Sequence, residues 1–227
     1  MRVVLDGVAK GRGNQALSPT SCRIETGFVT VAPVDTERGP SVLSLIMAGR
    51  MRPDKGTVTC DGQRDYRRLR HGFAMVDTPS VCEPAPGVPL RAVVAEELMY
   101  AQTFANPIST ELWLRQNGVR EFAGTDMARV PSLARVKILT ELALARPNTQ
   151  LVVLTAPDRH GIDLSSLSRY IAEVLDRGYG MAVVCGQTAE PMLVNELDRL
   201  GTPLHRAATF HGATKQTHSN QEASTLN

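Results

Sequence analysis

Apolar positions along the chain change their period repeatedly, and each change predicts an element. "MRVVLDGV" and "CRIETGFVTVA" read as strands, whereas "SVLSLIMAGRM" repeats its apolar residues at helical spacing and then meets Gly49 and the turn "RPDKG". "KGTVTCDG" is a short strand ending in a turn. From about Glu83 to Arg129 the pattern differs: a loop, "EPAPGVP", precedes two helical stretches, "LRAVVAEELMYAQTF" and "STELWLRQNGV", which read as an inserted lobe. A helix in "SLARVKILTELALA", a β-branched run in "QLVVLTAP", a helix in "DLSSLSRYIAEVLDRG" and a strand in "MAVVCG" follow. Strands apolar at successive positions need cover on both faces, so the predicted fold is α/β, a mostly parallel sheet flanked by helices with an inserted helical subdomain. The expected divisions are 1–82 and 135–210 for the two parts of the core, 83–134 for the helical subdomain and 211–227 for a polar tail too poor in apolar residues to order.

Composition narrows the function. The 227 residues carry 25 Lys and Arg against 23 Asp and Glu, so no overall field points to nucleic acid, and none is expected as a partner. Cys22, Cys60, Cys82 and Cys185 stand far apart without a C-x-x-C pair, which fits buried thiols in a reducing compartment and neither a disulfide framework nor a metal site. No leader pattern opens the chain and no run approaches roughly 18 apolar residues, so a cytoplasmic protein is expected. "RDYRRLRH" gathers Arg64, Arg67, Arg68, Arg70 and His71 around Tyr66. Such a run can touch phosphate or anionic lipid, although the ordinary role of a charge run is a solvated face. Trp113 in the lobe reads as packing.

Four ordered segments carry a resemblance. "GPSVLSLIMAGRMRPDKGTVTCDG" is similar to the pattern G-K-S-T-L-L-x-x-L-A-G-x-x-x-P-x-x-G-x-V-x-x-x-G of the ATP-binding cassette (ABC) ATPases, with Gly39, Ser41, Leu43, Ala48, Gly49, Pro53, Gly56, Val58 and Gly62 in register. "VPSLARVKILTELALARP" overlays the family's signature and the helix after it. "LVVLTAPDRHGID" overlays the acidic strand end through Pro157, Gly161 and Asp163, and "GYGMAVVCGQ" overlays the strand that ends in T-H-D. The resemblance runs from about Arg2 to Pro191 and implies a P-loop NTPase-like ABC ATPase fold. It also implies a membrane-protein partner, because family members dock their helical lobe and Q-loop cleft on short helices of one.

The scaffold positions match; the chemical ones depart. A phosphate-cradling loop needs glycines whose N–H groups turn inward and a lysine to neutralise the phosphates. In register, the first two glycines are Val34 and Glu37, Gly39 remains, the lysine position is Pro40, and Ser41 follows. Pro40 brings neither charge nor N–H. Losing two or three charge-assisted contacts of about 1.5–3 kcal/mol each weakens nucleotide binding about 10² to 10⁶-fold. The Walker B carboxylates that hold Mg²⁺ and polarise water fall on Thr155 and Ala156, and neither can act as a base. Asp158, just beyond, reads as a turn residue. The signature falls on Val130, Pro131, Ser132, Leu133 and Ala134, the H-loop histidine on Gly186, the Q-loop glutamine on or beside Asp77, and the adenine-stacking aromatic on Arg12.

The expectation is therefore a pseudo-ATPase with no catalytic residue, no ATP or Mg²⁺ and no other metal. It would act as an interaction or regulatory subunit of an integral membrane protein or transport complex, peripheral to the inner face of the membrane through that partner. Docking is expected on the helical subdomain, with Val81, Leu98, Tyr100 and Phe104 as the contact residues. An ATP-driven dimer is not expected, while a nucleotide-independent dimer stays open. The alternative is a divergent ABC transporter subunit that still binds nucleotide or pairs with an active cassette.

Overall fold

The structure is a computed structural model and describes residues 1–34, 37–103 and 106–209. The expectations for Phe104 and for the tail at 211–227 fall outside the described residues. In chain order the strands are β1 (Arg2–Lys10), β2 (Leu17–Glu25), β3 (Val29–Pro33), β4 (Lys55–Cys60), β5 (Phe73–Val76), β6 (Leu151–Thr155), β7 (Gly180–Cys185), β8 (Leu204–Arg206) and β9 (Ala208–Thr209). The helices are α1 (Gly39–Met47), α2 (Tyr66–Gly72), α3 (Leu90–Tyr100), α4 (Pro107–Gln116), α5 (Ser132–Leu144), α6 (Leu164–Asp176) and α7 (Ala189–Arg199).

Two sheets result: an antiparallel one in the order β4-β1-β2-β9 and a five-stranded one in the order β5-β6-β7-β3-β8, whose neighbours all pair in parallel. "CRIETGFVTVA", read as one strand region, is divided at Thr26–Phe28. Its first half ends β2 in the antiparallel sheet and its second half is β3 in the parallel one. Gly27, at φ +80°, takes that turn.

Alternation along the parallel strands builds two cores. Ala32, Val153, Ala182 and Val184 face α1 and the antiparallel sheet, with Leu43, Ile46 and Phe73 buried among them. Val31, Val152, Leu154 and Val183 face the other way, onto α5, α6 and α7. The buried residues of the helical region, Leu90, Val94, Leu98 and Leu114, belong to this second core. The helical insertion is thus packed continuously with the sheet through α5.

Two glycines of the sequence pattern are there for space. A Cβ on Gly49, at φ +68°, would lie 2.7 Å from the Leu69 Cβ, and one on Gly56, at φ +77°, would lie 2.4 Å from the Asp6 carbonyl oxygen of β1. They let α1 approach α2 and β4 approach β1.

Candidate functional site: the carboxyl edge of the parallel sheet

In open parallel sheets ligands bind beyond the carboxyl ends of the strands, and the positions singled out in the sequence do converge there. After β3 the chain reaches α1. Val34 is buried and donates its N–H to the Cys185 carbonyl at 2.8 Å, and Glu37 is exposed. Gly39 opens α1, Pro40 occupies its first turn, and the Ser41 hydroxyl donates to the Pro79 carbonyl at 3.2 Å.

One turn further along α1, Ser44 meets the strand ends. Its hydroxyl lies 2.8 Å from the Thr155 hydroxyl, which lies 2.8 Å from that of Thr78, and all three side chains are fully buried. Thr155, the last residue of β6, is thus the middle member of a hydroxyl chain that joins α1 to the residue after Asp77. Ala156 follows in the left-handed region at φ 48°, strained for a residue with a Cβ, and donates to the Val184 carbonyl at 2.6 Å.

Beside the hydroxyl chain lies an ion-pair cluster. Asp77, also left-handed at φ 51°, has a side chain only 2 % exposed. Arg135 of α5 grips it with both arms, Nε to Oδ2 at 2.9 Å and Nη2 to Oδ1 at 2.7 Å, and donates Nη1 to the Met127 carbonyl. Arg159 donates to the Asp77 carbonyl at 2.9 Å and stands 3.3 Å from its carboxylate and 3.2 Å from Glu83. Burial alone would push the Asp77 carboxyl up, but the Arg135 hydrogen bonds and the charges of Arg135, Arg159 and His160 hold it below its usual range.

His160 completes the cluster. Its Nε2 accepts from Arg159 Nε at 2.9 Å and lies 3.1 Å from Asp77 Oδ2. Burial, then the Arg159 charge, lower its pKa, against the opposing pull of the Asp77 carboxylate. Among the described residues Asp77, Glu83 and His160 bring ligand atoms within 4.8 Å of one another. Two guanidiniums already neutralise these acids, which suits an ion-pair network and not a cation site.

The remaining positions also serve as struts. Val130 is buried, Pro131 caps α5, Leu133 and Ala134 pack on the core, and the Ser132 hydroxyl donates to the His160 carbonyl at 2.6 Å. Gly186 ends β7 and donates its N–H to Asp158 Oδ2 at 3.2 Å, so Asp158 joins the ends of β6 and β7 as the turn residue expected of it. Arg12 lies in a short 3₁₀ turn between β1 and β2.

Sequence reading missed Arg135, Arg159, His160 and Ser44. For Arg135 a signal existed: it shares the apolar stripe of α5 with Ile138, Leu139 and Leu142, and a charge on such a stripe demands a buried partner.

The docking residues separate. After Asp77 the Thr78 carbonyl accepts N–H groups from Val81, Cys82 and Glu83, a tight turn that leaves Val81 46% exposed. Val81, Cys82, Val93, Glu97, Tyr100 and Arg146 line a cleft of about 440 Å³. Tyr100 is 62% exposed, with Arg146 over its ring at 5.7 Å and Glu97 bonded to Arg146 at 2.5 Å. Leu98 corrects the expectation of a contact residue: it is 5% exposed and packs in the core, because it shares a helix face with Val94. Trp113 packs against the same core, as expected. No helix among the described residues is long and apolar enough to cross a membrane.

No family model matches the chain. Over 109 residues it is 30% identical to the ribose import ATP-binding protein RbsA of Bacillus cereus, a match spanning 45% of this chain and 22% of that protein's length. Solved structures resemble it more broadly. An ATP-binding subunit of an ABC transporter aligns with TM-score 0.55 and 17% identity, over 83% of this chain and 81% of that one. A nucleotide-free ATP-binding cassette aligns with TM-score 0.57 and 14% identity over 91% and 87%. CbiO1 of Clostridium perfringens, part of the transporter complex cbiONQ, aligns with TM-score 0.55 and 15% identity over 81% and 77%. The fold is that of the ATP-binding cassettes. The likeness to the solved structures is one of fold, and the chain spans about a fifth of the length of the curated relative it matches.

Proposed function

We propose that the chain is a catalytically inactive ABC-type cassette, an interaction or regulatory subunit of a membrane protein or transport complex that binds neither ATP nor Mg²⁺. The observation that supports this most is the Ser44–Thr155–Thr78 hydroxyl chain. A Mg²⁺ site prefers carboxylate and water oxygens around a doubly charged ion. Three neutral, buried hydroxyls bonded in series offer no charge to it. Pro40 supplies no cation for the phosphates, and Arg135 and Arg159 are committed to Asp77 and Glu83. The cleft between the Val81–Ala85 turn and α3 fits a short amphipathic helix of an integral membrane partner, with Val81 and Tyr100 as anchors and Glu97 and Arg146 as polar rim.

A phosphate-release assay tests the first half of the proposal, and no turnover above buffer is expected, alone or with native membranes. Affinity capture from those membranes tests the second, with recovery of one integral membrane protein expected. A second reading, a divergent subunit that still binds nucleotide, is favoured by the likeness to an ATP-binding protein and by the start of α1, which has no side-chain cap. Saturable Mg-ATP binding would select it.

A further inference from the structure

The stretch 50–71 holds seven cations, Arg50, Arg52, Lys55, Arg64, Arg67, Arg68 and Arg70, against three acids, an excess of four in a chain whose whole excess is two. The acids are all engaged: Asp54 with Lys10 at 2.5 Å, Asp61 with Arg68 at 2.6 Å, and Asp65 as the cap of α2, accepting the Arg68 N–H at 2.9 Å. Of these seven, only Arg68 pairs with an acid among the described residues. Elsewhere several cations on or beside helices are paired with acids, as in Arg115 with Glu111, Arg177 with Glu141 and Arg199 with Glu196.

The six remaining cations are exposed as residues, with the Arg50 guanidinium tucked in to donate to the Ala48 and Phe73 carbonyls. Arg52 and Arg64 line one shallow cleft of about 380 Å³ with Tyr66, whose ring lies 5.4 Å from the Arg52 guanidinium. Arg67 and Arg70 stand three residues apart on α2, a spacing that brings like charges together, and Arg64 lies just before its Asp65 cap. Arg70 reaches the Gly49 carbonyl, and burial and then the charges of Arg146 and Arg70 depress the Arg50 guanidinium, so the patch runs on to the lobe cleft. There Tyr100 is exposed beside Arg146, with Met99 also exposed on α3.

We propose that this surface, from the β4–α2 connection to the rim of the lobe cleft, contacts the anionic headgroups of a lipid bilayer. Cations spread over β4, the β4–α2 connection and α2 match a two-dimensional array of phosphates better than one molecule, and exposed aromatic and thioether side chains at the edge suit the headgroup boundary. The contact goes beyond the function proposed above and does not depend on it, since the chain alone should make it.

The test is flotation of the full chain with phosphatidylcholine vesicles, with and without about a third phosphatidylglycerol, at low and high salt. Binding is expected only with the anionic lipid and should be released by salt. The double variant Arg64→Glu, Arg67→Glu should weaken it at least about tenfold. Neither side chain makes a hydrogen bond or ion pair among the described residues, so the melting temperature should hold. Arg67→Gln should give a smaller loss of the same sign, and Arg169→Glu on α6 no loss. Equal binding to neutral vesicles, or unchanged binding of the double variant, overturns the proposal. Release by inorganic phosphate beyond that by chloride of equal ionic strength also overturns it, by assigning the cations to a free phosphate compound, and so does equal binding to duplex DNA.

Discussion

Asp77 and Val81 lie in one turn, yet they face opposite worlds. The side chain of Asp77 is 2 % exposed and held by two guanidiniums, whereas Val81 is 46% exposed on the lip of a cleft. At the strand ends, hydroxyls bond hydroxyls and the arginines bond an internal acid, so polar groups are used up within the chain. At the lobe cleft, the large side chains of Val81 and Tyr100 stay exposed beside the Glu97–Arg146 pair. The difference separates two parts of one scaffold: the rim locks α5 to the sheet, and the cleft is where the proposed partner would dock.

Breaking the lock should have the largest effect. Asp77→Ala leaves Arg135 buried without its partner, and a loss of about 3–5 kcal/mol in unfolding free energy is expected by denaturant titration. A loss near zero would mean that the cluster is dispensable to the fold. At the cleft, Tyr100→Ala and Val81→Asp should each weaken capture of the membrane partner by about 2 kcal/mol while the melting temperature stays near that of the native chain. Charge reversal at Glu97 or Arg115 is a poorer probe, because both are ion-paired, to Arg146 and Glu111.

Thr155→Val should cost about 1–3 kcal/mol, since it removes one partner each from the buried hydroxyls of Ser44 and Thr78, and Thr155→Ser should restore most of it. Ala156→Gly should stabilise by about 1 kcal/mol through relief of the left-handed backbone. Both changes should leave partner capture untouched. A gain or loss of capture in either would erase the line drawn between rim and cleft.

Acid sharpens the comparison with a smaller effect. Asp77 and His160 both take up protons less readily in the folded chain than in the unfolded one. Their contribution to stability is therefore present at neutral pH and is lost as pH falls. The loss begins below the ordinary histidine value of 6.5, and a second part follows below the ordinary carboxyl value of 3.8. Denaturation midpoints against pH should fall in these two steps, and His160→Gln should remove the upper one only.

The periodicities carried much of the fold. β6, α6 and β7 are read from apolar runs of the right length, and the helical lobe from its two helices. The turn at Gly27 that sends β2 and β3 to different sheets has no apolar break to announce it. α2 is hidden because Leu69 is its only large fully buried side chain within a basic run. α7 and β8 follow the last recognisable motif and went unread. At the rim, positions such as Thr155 and Pro40 were legible as departures from a pattern. What occupies the rim was not, since Asp77 and Arg135 are 58 residues apart and only folding shows that they meet.

Titration calorimetry of the full chain with Mg-ATP, carried to millimolar nucleotide, tests the central claim most directly. The account predicts no heat beyond dilution, because Pro40 brings no charge to the start of α1 and the Thr155 hydroxyl is bonded between Ser44 and Thr78. Saturable binding with a Kd below about 100 μM, roughly −5.5 kcal/mol, would contradict it.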